Sequence, residues 1–501
     1  MGDVGCEKFF IFTIHVSRLP IAGLKQLIIT NKQFHMENNK STWTRRKFIG
    51  SSIKTTLATT AALSGFPAIV PASVFGKNAP SNRINVGAIG AGRISRIHDM
   101  PGVWRYDFAQ LMAVCDLDSK RAEDGKKLVN DYYTRQTGKP YDGVKLYTDF
   151  REMLQNKDID AVLISTPDHT HALIGVHAAK AGKHIYMQKP ASLTIAEGRV
   201  MSDIIQKSGV KFQIGSQQRS TEQFRYAAEL VRNGRIGDLK TVYVGLPGDP
   251  PGGSTKEMPV PSNLNYDLWL ATTPEVYYTE ERVHPQVGYG RPGWLRCEQF
   301  GAGMITGWGA HHIDSAHWGM GMEKSGPVEI WGKAEFPKEG LWDVHGIFTT
   351  YAMYANGVKM VVSNELPNGI KFEGTRGWIF VSRGDYQVTS SDPSVNGQQA
   401  KKLDASDPKI LESVIGPNEF HFEVSKEHHG NWLEAIRDNK QPIAPVEEAH
   451  RACSACLLHH IAMKLNRKIY WDPKKEQFKN DPEANALLSR PQRSPYIVGK
   501  F

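Results

Sequence analysis

A glycine-rich turn near residue 90 constrains the fold of this 501-residue chain more than any other feature. The apolar run Ile84 to Ile89 leads into Gly90-Ala91-Gly92-Arg93-Ile94-Ser95, and a second apolar run, Phe108 to Val114, ends at Cys115-Asp116. Gly90 permits a tight turn, and Gly92 lets backbone N–H groups approach an anion at the start of a helix. The pattern predicts a strand–turn–helix–strand unit that binds the pyrophosphate of a dinucleotide, with Arg93 and Ile94 beside it.

Asp116 indicates which dinucleotide. A carboxylate after the second strand accepts hydrogen bonds from the adenosine ribose hydroxyls and repels a 2′-phosphate. We therefore expect NAD rather than NADP, although Lys120 and Arg121 follow closely.

The alternation of strands and helices continues to about residue 220. Strands are predicted at Ala161 to Ser165, His184 to Met187 and Lys211 to Ile214, and a helix at Ala172 to Ala181. Polar residues follow each strand, where open α/β sheets bind ligands. We assign to the cofactor Thr166, Pro167, His169, His171, Gln188, Lys189 and Gln217, and to the substrate Gln218 and Arg219. Helix capping and solvated loops are the alternatives.

The second half is rich in predicted strands, such as Leu239 to Leu246, Val328 to Ala334 and Gly346 to Tyr354. Their alternating pattern indicates a sheet with one buried face. The domains expected are a leader over 1–80, a doubly wound parallel Rossmann domain over 81–220, an α+β domain over 221–465 and an arm over 466–501.

The leader carries most of the net charge of +9. Residues 1–80 hold ten Lys or Arg and three Asp or Glu, whereas the remainder holds 51 and 49. The body is therefore nearly neutral, which argues against a nucleic-acid partner. The stretch STWTRRKFIG at 41–50 resembles a twin-arginine signal, which predicts export of the folded protein to the periplasm without a membrane span. Residues 1–35 are expected to be an artefact upstream of a start at Met36.

The glycine turn, Asp116, TPDHTH at 166–171, QKP at 188–190 and GWGAHHID at 307–314 together resemble the Gfo/Idh/MocA oxidoreductase family. The resemblance implies a Rossmann domain followed by an α+β domain with a large open antiparallel sheet. It also implies a homodimer or homotetramer.

The resemblance further implies roles for single residues. Lys189 matches a lysine that hydrogen-bonds the reacting hydroxyl, and His311 matches the catalytic histidine. His312 and Asp314 are expected to orient this system. The chain departs from the family pattern at Gln188, where the family has glutamate, and at Gly307, where it has aspartate. The residue types alone also permit a structural cluster or a metal site.

Further candidates come from the residues themselves. Arg282, His284 and Trp308 are expected to contact the substrate, and aromatic residues around Asn265 to Leu270 suit sugar rings or core packing. Cys453 and Cys456 form a C-x-x-C pair before His459 and His460, and core packing is favoured over a metal site.

These observations predict an NAD-dependent oxidoreductase of a secondary hydroxyl on a sugar, a glycoside (at C3 in the most specific version) or an inositol. Export would require a tightly bound cofactor. Two alternatives stay open: NAD-dependent glycoside hydrolysis through transient oxidation and elimination, and a sensor that only binds its ligand.

Overall fold

The computed structural model describes residues 83–384 and 401–499. The leader and its twin-arginine motif lie outside the described residues, so export and periplasmic location stay predictions. Within the described ranges, no helix has the length and apolar character needed to cross a bilayer.

The first sheet contains six parallel strands in the order β3-β2-β1-β4-β5-β6, as in a Rossmann domain. Its strands are β1 (Ile84–Ile89), β2 (Ala109–Cys115), β3 (Lys145–Tyr147), β4 (Ala161–Ile164), β5 (His184–Met187) and β6 (Phe212–Ile214). The glycine turn and Asp116 follow β1 and β2 directly, and Gln188 follows β5. The polar residues predicted from the sequence thus meet at one edge of the sheet.

A helix follows each of these six strands in the chain. These helices are α1 (Met100–Trp104), α2 (Ser119–Thr137), α3 (Phe150–Gln155), α4 (Asp168–Lys180), α5 (Ile195–Ser208) and α6 (Glu222–Arg232). A π-helical turn, Ser95–Asp99, precedes α1. Helix α4 begins four residues before the predicted start at Ala172, because the chain turns into the helix directly after Pro167, its N-cap residue.

The second sheet has nine strands in the order β13-β12-β11-β7-β10-β9-β8-β14-β15. They are β7 (Leu239–Gly245), β8 (Pro327–Ala334), β9 (Phe348–Tyr354), β10 (Lys359–Ser363), β11 (Gly369–Gly374), β12 (Gly377–Val381), β13 (Leu403–Ala405), β14 (Ile469–Asp472) and β15 (Gln477–Phe478). The sheet is mixed rather than purely antiparallel, because β10 pairs with β7 in parallel. The predicted arm begins with β14, which pairs with the edge of β8.

The helices of the second half are α7 (Tyr266–Leu270), α8 (Met304–Gly307), α9 (Gly309–Met320), α10 (Pro408–Glu412), α11 (His428–Asp438), α12 (Val446–Leu465) and α13 (Pro482–Ala486). Helix α12 packs on β8 and α9 of the second domain and on α5 of the first. One hydrophobic core therefore includes residues of both domains, among them Ile164, Met201, Ile330 and Cys456. This packing holds α9 against the first sheet.

Candidate active site

A cavity of about 400 Å³ opens at the carboxyl edge of the first sheet. Its walls come from the residues that follow β1, β2, β4, β5 and β6, and from segments 284–295 and 307–311 of the second domain. Both halves of the chain thus build one site, at the edge where α/β sheets bind ligands.

The glycine turn forms one end of the cavity. Gly90 has φ +91°, and an added Cβ would lie 2.5 Å from the Ser165 carbonyl oxygen, so no larger residue fits there. At Gly92 the nearest atom to an added Cβ is a guanidinium nitrogen of Arg121 at 4.0 Å, so a side chain would project into the cavity. The turn therefore leaves room for a ligand against its backbone.

Asp116 holds this turn in place. Its carboxylate accepts from the Ala91 amide at 2.7 Å and from the Asp118 amide at 2.9 Å. Burial raises the pKa of Asp116, while these two hydrogen bonds act in the opposite direction. The carboxyl group lines the cavity with Arg93 and Ile94, as the sequence predicted for the dinucleotide end.

The TPDHTH segment divides into two sets. Thr166, Pro167 and Asp168 line the cavity, whereas His169 and His171 do not. The assignment of both histidines to the cofactor is therefore wrong. Because α4 begins at Asp168, it turns the two imidazoles into the protein interior.

Each of these histidines holds a neighbouring segment. His169 Nε2 lies 2.7 Å from the Trp269 carbonyl oxygen of the second domain. His171 Nδ1 lies 2.6 Å from the Pro190 carbonyl oxygen and its Nε2 lies 2.9 Å from the Thr166 carbonyl oxygen, and a neutral ring donates to one of the two. Burial lowers the pKa of His169 to about 3 and that of His171 to about 4, so both rings are neutral.

Gln188 is connected to a buried charged cluster beneath the cavity. Its Nε2 donates to Asp99 Oδ1 at 2.8 Å, and the same carboxylate accepts from Ser165 Oγ and from His429 Nε2. His429 Nδ1 bonds Glu427 at 3.2 Å. Burial alone would lower the pKa of His429, but its two carboxylate partners raise it to about 9. An amide at position 188 therefore suits this cluster, because it can donate to Asp99 where a carboxylate would repel it.

Lys189 lines the cavity together with Asp168. Burial raises the pKa of Asp168 to about 8, and the nearby Lys189 cation acts in the opposite direction. The chain thus has a carboxyl group close to Lys189 although position 188 is glutamine.

The residues of the segment 307–314 also fall into two sets, one that lines the cavity and one that does not. Gly307, Trp308 and His311 line the cavity, but His312 and Asp314 do not. His312 Nε2 lies 2.8 Å from Asn368 Oδ1, and Asp314 binds Ser216 Oγ and the Arg219 guanidinium. The side chains of His312 and Asp314 therefore bond residues behind the cavity wall and are not placed to contact a ligand in the cavity. Within α9, successive residues are turned by about 100°, so they point in different directions.

His311 itself is deeply buried and neutral. Burial lowers its pKa, and the Arg383 and Lys189 cations lower it further. Among the described residues, His311 Nδ1 has no hydrogen-bond partner. A buried imidazole with such a nitrogen is suited to bonding a ligand.

The segment after β6 contributes one residue to the cavity, Gln217. The substrate assignment of Gln218 and Arg219 is wrong, because both are buried behind the wall. Arg219 donates to Asp314 at 2.6 and 2.8 Å and to Glu448. Gln218 accepts through Oε1 from His312 Nδ1 at 3.1 Å and from Arg383 Nε at 3.2 Å.

The two substrate candidates near residue 283 differ. Arg282 does not line the cavity; it donates to the Tyr277 carbonyl and lies over the Tyr277 ring, so that assignment is wrong. His284 does line the cavity, but its Nε2 lies 3.0 Å from Asp118, near the dinucleotide end. We therefore reassign His284 to the cofactor end.

Sequence reasoning missed several polar residues of the cavity wall, among them His98, Asp168, Arg291 and Arg383. Asp168 lies inside the TPDHTH motif and was considered only as a helix cap. The other three lie outside every motif, so no local pattern distinguishes them from surface charges.

The cysteines pack in the interior. Cys453 and Cys456 lie on α12, are buried and form no disulfide with the other described cysteines. No group of three or more His, Cys, Asp or Glu within residues 83–384 and 401–499 is arranged to hold a metal ion.

Family models match most of the chain. Residues 84–216 match an oxidoreductase family, NAD-binding Rossmann fold, and residues 252–401 and 421–498 match the C-terminal alpha/beta domain of the same family. The chain belongs to the Gfo/Idh/MocA oxidoreductase family. This confirms the predicted family, α/β class and NAD cofactor.

Individual relatives are more distant. The chain is 29% identical to myo-inositol 2-dehydrogenase of Thermotoga maritima over 184 residues, which are 36% of this chain and 48% of that one. It is 28% identical to levoglucosan dehydrogenase of Pseudarthrobacter phenanthrenivorans over 31% of this chain and 39% of that one. The chain therefore matches less than half the length of these two relatives.

The fold resembles solved structures over a longer stretch. The WlbA dehydrogenase of Bordetella pertussis, in complex with NADH and UDP-GlcNAcA, superposes with a TM-score of 0.55 at 16% identity. The superposition covers 78% of this chain and 99% of that one.

The cavity fits NAD by its own geometry. Gly92 leaves space against the backbone of the turn, and the Asp116 carboxyl group faces the same end. These residues would hold the dinucleotide, and Lys189 and His311 would face the part of the cavity that the substrate enters.

Proposed function

We propose that this protein is an NAD-dependent oxidoreductase that acts on a secondary hydroxyl of a sugar, a glycoside or an inositol. One observation carries the proposal: Lys189 and His311, from different domains, line the same cavity as the glycine turn and Asp116. The names of the inositol and levoglucosan dehydrogenases among the relatives support a polyol as substrate.

Oxidation of an alcohol removes a hydride from the carbon and a proton from the hydroxyl oxygen. His311 is neutral in the buried site, so it is able to accept that proton through a free ring nitrogen. The Lys189 cation stabilises the negative charge that develops on the oxygen. NAD, when bound, supplies the redox chemistry at the carbon.

Asp168 positions the lysine. It is buried in the cavity wall that also contains Lys189, and the lysine cation acts on the Asp168 pKa against the larger raising effect of burial. His171 lies between the carbonyl oxygens of Thr166 and Pro190 and donates to one of them, so its ring packs between the segments that carry Asp168 and Lys189. Asp168 and Lys189 are thereby held relative to each other before the substrate enters.

The experiment adds a panel of sugars, glycosides and inositols to the NAD-loaded protein and records the absorbance of reduced nicotinamide. We expect at least one neutral or charged polyol to produce the NADH band. Lys189→Met and His311→Asn should each reduce kcat by about 10²- to 10⁴-fold with little change in NAD affinity.

His312→Asn is the matched control on the same helix. It removes an imidazole that lies outside the cavity, so kcat should fall by less than about tenfold. The proposal is contradicted if no member of the panel yields NADH, or if Lys189→Met turns over as fast as the unchanged protein.

A cofactor that stays bound is a further part of the proposal, and it is supported only by the predicted export. Acid extraction of the freshly purified protein should release about one NAD per chain. An empty protein that exchanges NAD freely would contradict this part alone.

A further inference from the structure

The charges of the cavity wall are strongly unequal. Among its described residues, five side chains are permanent cations and two are carboxyl groups. The cations are Arg93, Arg121, Lys189, Arg291 and Arg383. The carboxyl groups are Asp116 and Asp168. The excess of positive charge favours anionic ligands.

Two of the arginines lie at the dinucleotide end. Arg93 follows Gly92 in the turn, and an Arg121 nitrogen lies 4.0 Å from the Cβ position of Gly92. Arg121 also donates to the carbonyl oxygens of Pro285 at 2.8 Å and Gly288 at 3.3 Å. This pair accounts for the two charges of the NAD pyrophosphate.

Arg383 lies near His311, whose pKa its charge lowers. Its Nε donates to Gln218 Oε1 at 3.2 Å, and the Gln218 amide nitrogen donates to the His311 carbonyl oxygen at 2.9 Å. Its guanidinium carbon lies 4.9 Å from the centre of a Trp308 ring, which is also in the wall. Gln218 thus connects Arg383 to the same turn of α9 that presents His311.

Arg291 lies on the other side of this turn. Its Nη2 contacts Met304 Sδ at 3.6 Å, and the Met304 methyl group lies 3.7 Å from the Cβ position of Gly307. Arg291 also lies near Asp249, which is buried outside the cavity wall and accepts from the Met304 amide; burial raises the pKa of Asp249 to about 6, and the Arg291 cation acts in the opposite direction. Two guanidinium groups therefore flank the segment from Gly307 to His311.

We propose that the substrate of this site is a sugar that carries an anionic group, and that Arg383, assisted by Arg291, binds that group. The inference rests on the proposed function and deepens it. A guanidinium forms paired hydrogen bonds with the oxygens of a carboxylate, phosphate or sulfate. Trp308 supports this role, because its ring lies 4.9 Å from the guanidinium carbon and holds the Arg383 side chain in the cavity wall by a cation–π contact.

The test measures binding to the NAD-loaded protein by calorimetry, separately from turnover. The probes are methyl glucuronide, glucose 6-phosphate and glucose 6-sulfate, each compared with neutral methyl glucoside. We expect at least one anionic probe to bind about tenfold or more tightly than the neutral one, with a preference that weakens as salt is raised. The best of the three probes identifies the anionic group.

Variants of Arg383 test whether this residue causes the tighter binding of anionic probes. Arg383→Met should abolish it, Arg383→Lys should retain part of it, and both should leave NAD affinity unchanged. Arg467→Met is the control, because Arg467 is half-exposed and pairs with Asp481 on the surface. Circular dichroism confirms that each variant is folded.

Several outcomes overturn the inference: no anionic probe binds more tightly than methyl glucoside, the preference survives in Arg383→Met, or Arg383→Met loses NAD. NADH formation decides the proposed function independently. Neutral sugars that reduce NAD without an anion preference would leave the function intact, whereas a preference that depends on Arg383 without NADH would leave only the inference.

Discussion

The two ends of the cavity are built in different ways. The dinucleotide end uses the backbone of one short turn, residues 90–94, held by the Asp116 carboxylate. The reaction end uses side chains from four separate segments, represented by Lys189, Arg291, His311 and Arg383. A backbone site needs a particular local conformation, which leaves a pattern in the sequence. A side-chain site needs residues from distant segments to meet in space, and such a meeting leaves no local pattern in the sequence.

The helix α9 shows the same contrast on a smaller scale. His311 and His312 are neighbours in the chain, yet His311 lines the cavity and His312 Nε2 lies 2.8 Å from Oδ1 of Asn368, just before β11. Asp314, which matches the family acid, neutralises the buried Arg219. The segment 307–314 therefore supplies both His311, which lines the cavity, and Asp314, which pairs with Arg219 behind the cavity wall.

The largest loss of stability should come from breaking the buried ion pair between Arg219 and Asp314. Arg219→Met leaves Asp314 and Glu448 without their guanidinium partner in the interior, so the free energy of unfolding should fall by about 3–5 kcal/mol. Urea titration measures the loss, and Arg467→Met on the surface should cost no more than about 1 kcal/mol. If Arg219→Met were as stable as the unchanged protein but bound substrate poorly, Arg219 would be a substrate residue after all.

A smaller effect is expected at the dinucleotide end. Gly90→Ala combines a positive φ with an added Cβ only 2.5 Å from the Ser165 carbonyl oxygen, so it should cost about 2–3 kcal/mol, shared between unfolding free energy and NAD affinity.

Gly138→Ala provides the comparison. Gly138 also has a positive φ, but an added Cβ would meet no atom within 4 Å, so the substitution should cost about 1 kcal/mol and leave NAD affinity unchanged. Fluorescence titration with NAD and thermal unfolding separate the two quantities. Equal losses in both variants would show that the close contact at Gly90 has no role.

Over a single pH unit, a smaller effect is expected from two histidines beneath the segment 188–190. His171 stays neutral, so the folded protein binds fewer protons than the unfolded chain between pH 6.5 and about 4, and stability falls as the pH falls. His429 has the opposite sign. Because it stays protonated up to about pH 9, its stabilising contribution is complete below pH 6.5 and is lost as the pH rises through 9.

Each limb should have a slope of about 1.4 kcal/mol per pH unit for its histidine. His171→Gln should flatten the acidic limb and His429→Gln the alkaline limb in urea titrations on either side of pH 6.5. An alkaline limb that is unchanged in His429→Gln would rule out a protonated His429 between Asp99 and Glu427.

Most of the Rossmann domain could be predicted, because its strands are short apolar runs that end at recognisable polar residues. The predicted strands at 84–89 and 184–187 match β1 and β5 in full. The strand β11 was missed because its residues, GIKFEG, include glycine and charged positions, and it is stabilised by pairing with β7 and β12. The parallel pairing of β10 with β7 also depends on residues far apart in the chain.

The candidate site was predicted unevenly for the same reason. The glycine turn, Asp116, Lys189 and His311 belong to motifs and line the cavity, whereas His169, His171, His312 and Asp314 belong to the same motifs and do not. Residue type and spacing cannot distinguish these sets, since the start of α4 and the rotation of α9 determine where each side chain points.

The linear order of residues alone specifies a dinucleotide turn, the alternation of strands and helices, and the family to which the chain belongs, because each depends on contacts among near neighbours. Which charged groups share a cavity depends on how α9 and α12 pack against the first sheet. That packing brings residues 189, 291, 311 and 383 together across almost 200 positions of chain. Burial then makes His311 and His171 neutral, whereas the carboxylates of Asp99 and Glu427 keep the equally buried His429 charged, and no local pattern contains that difference.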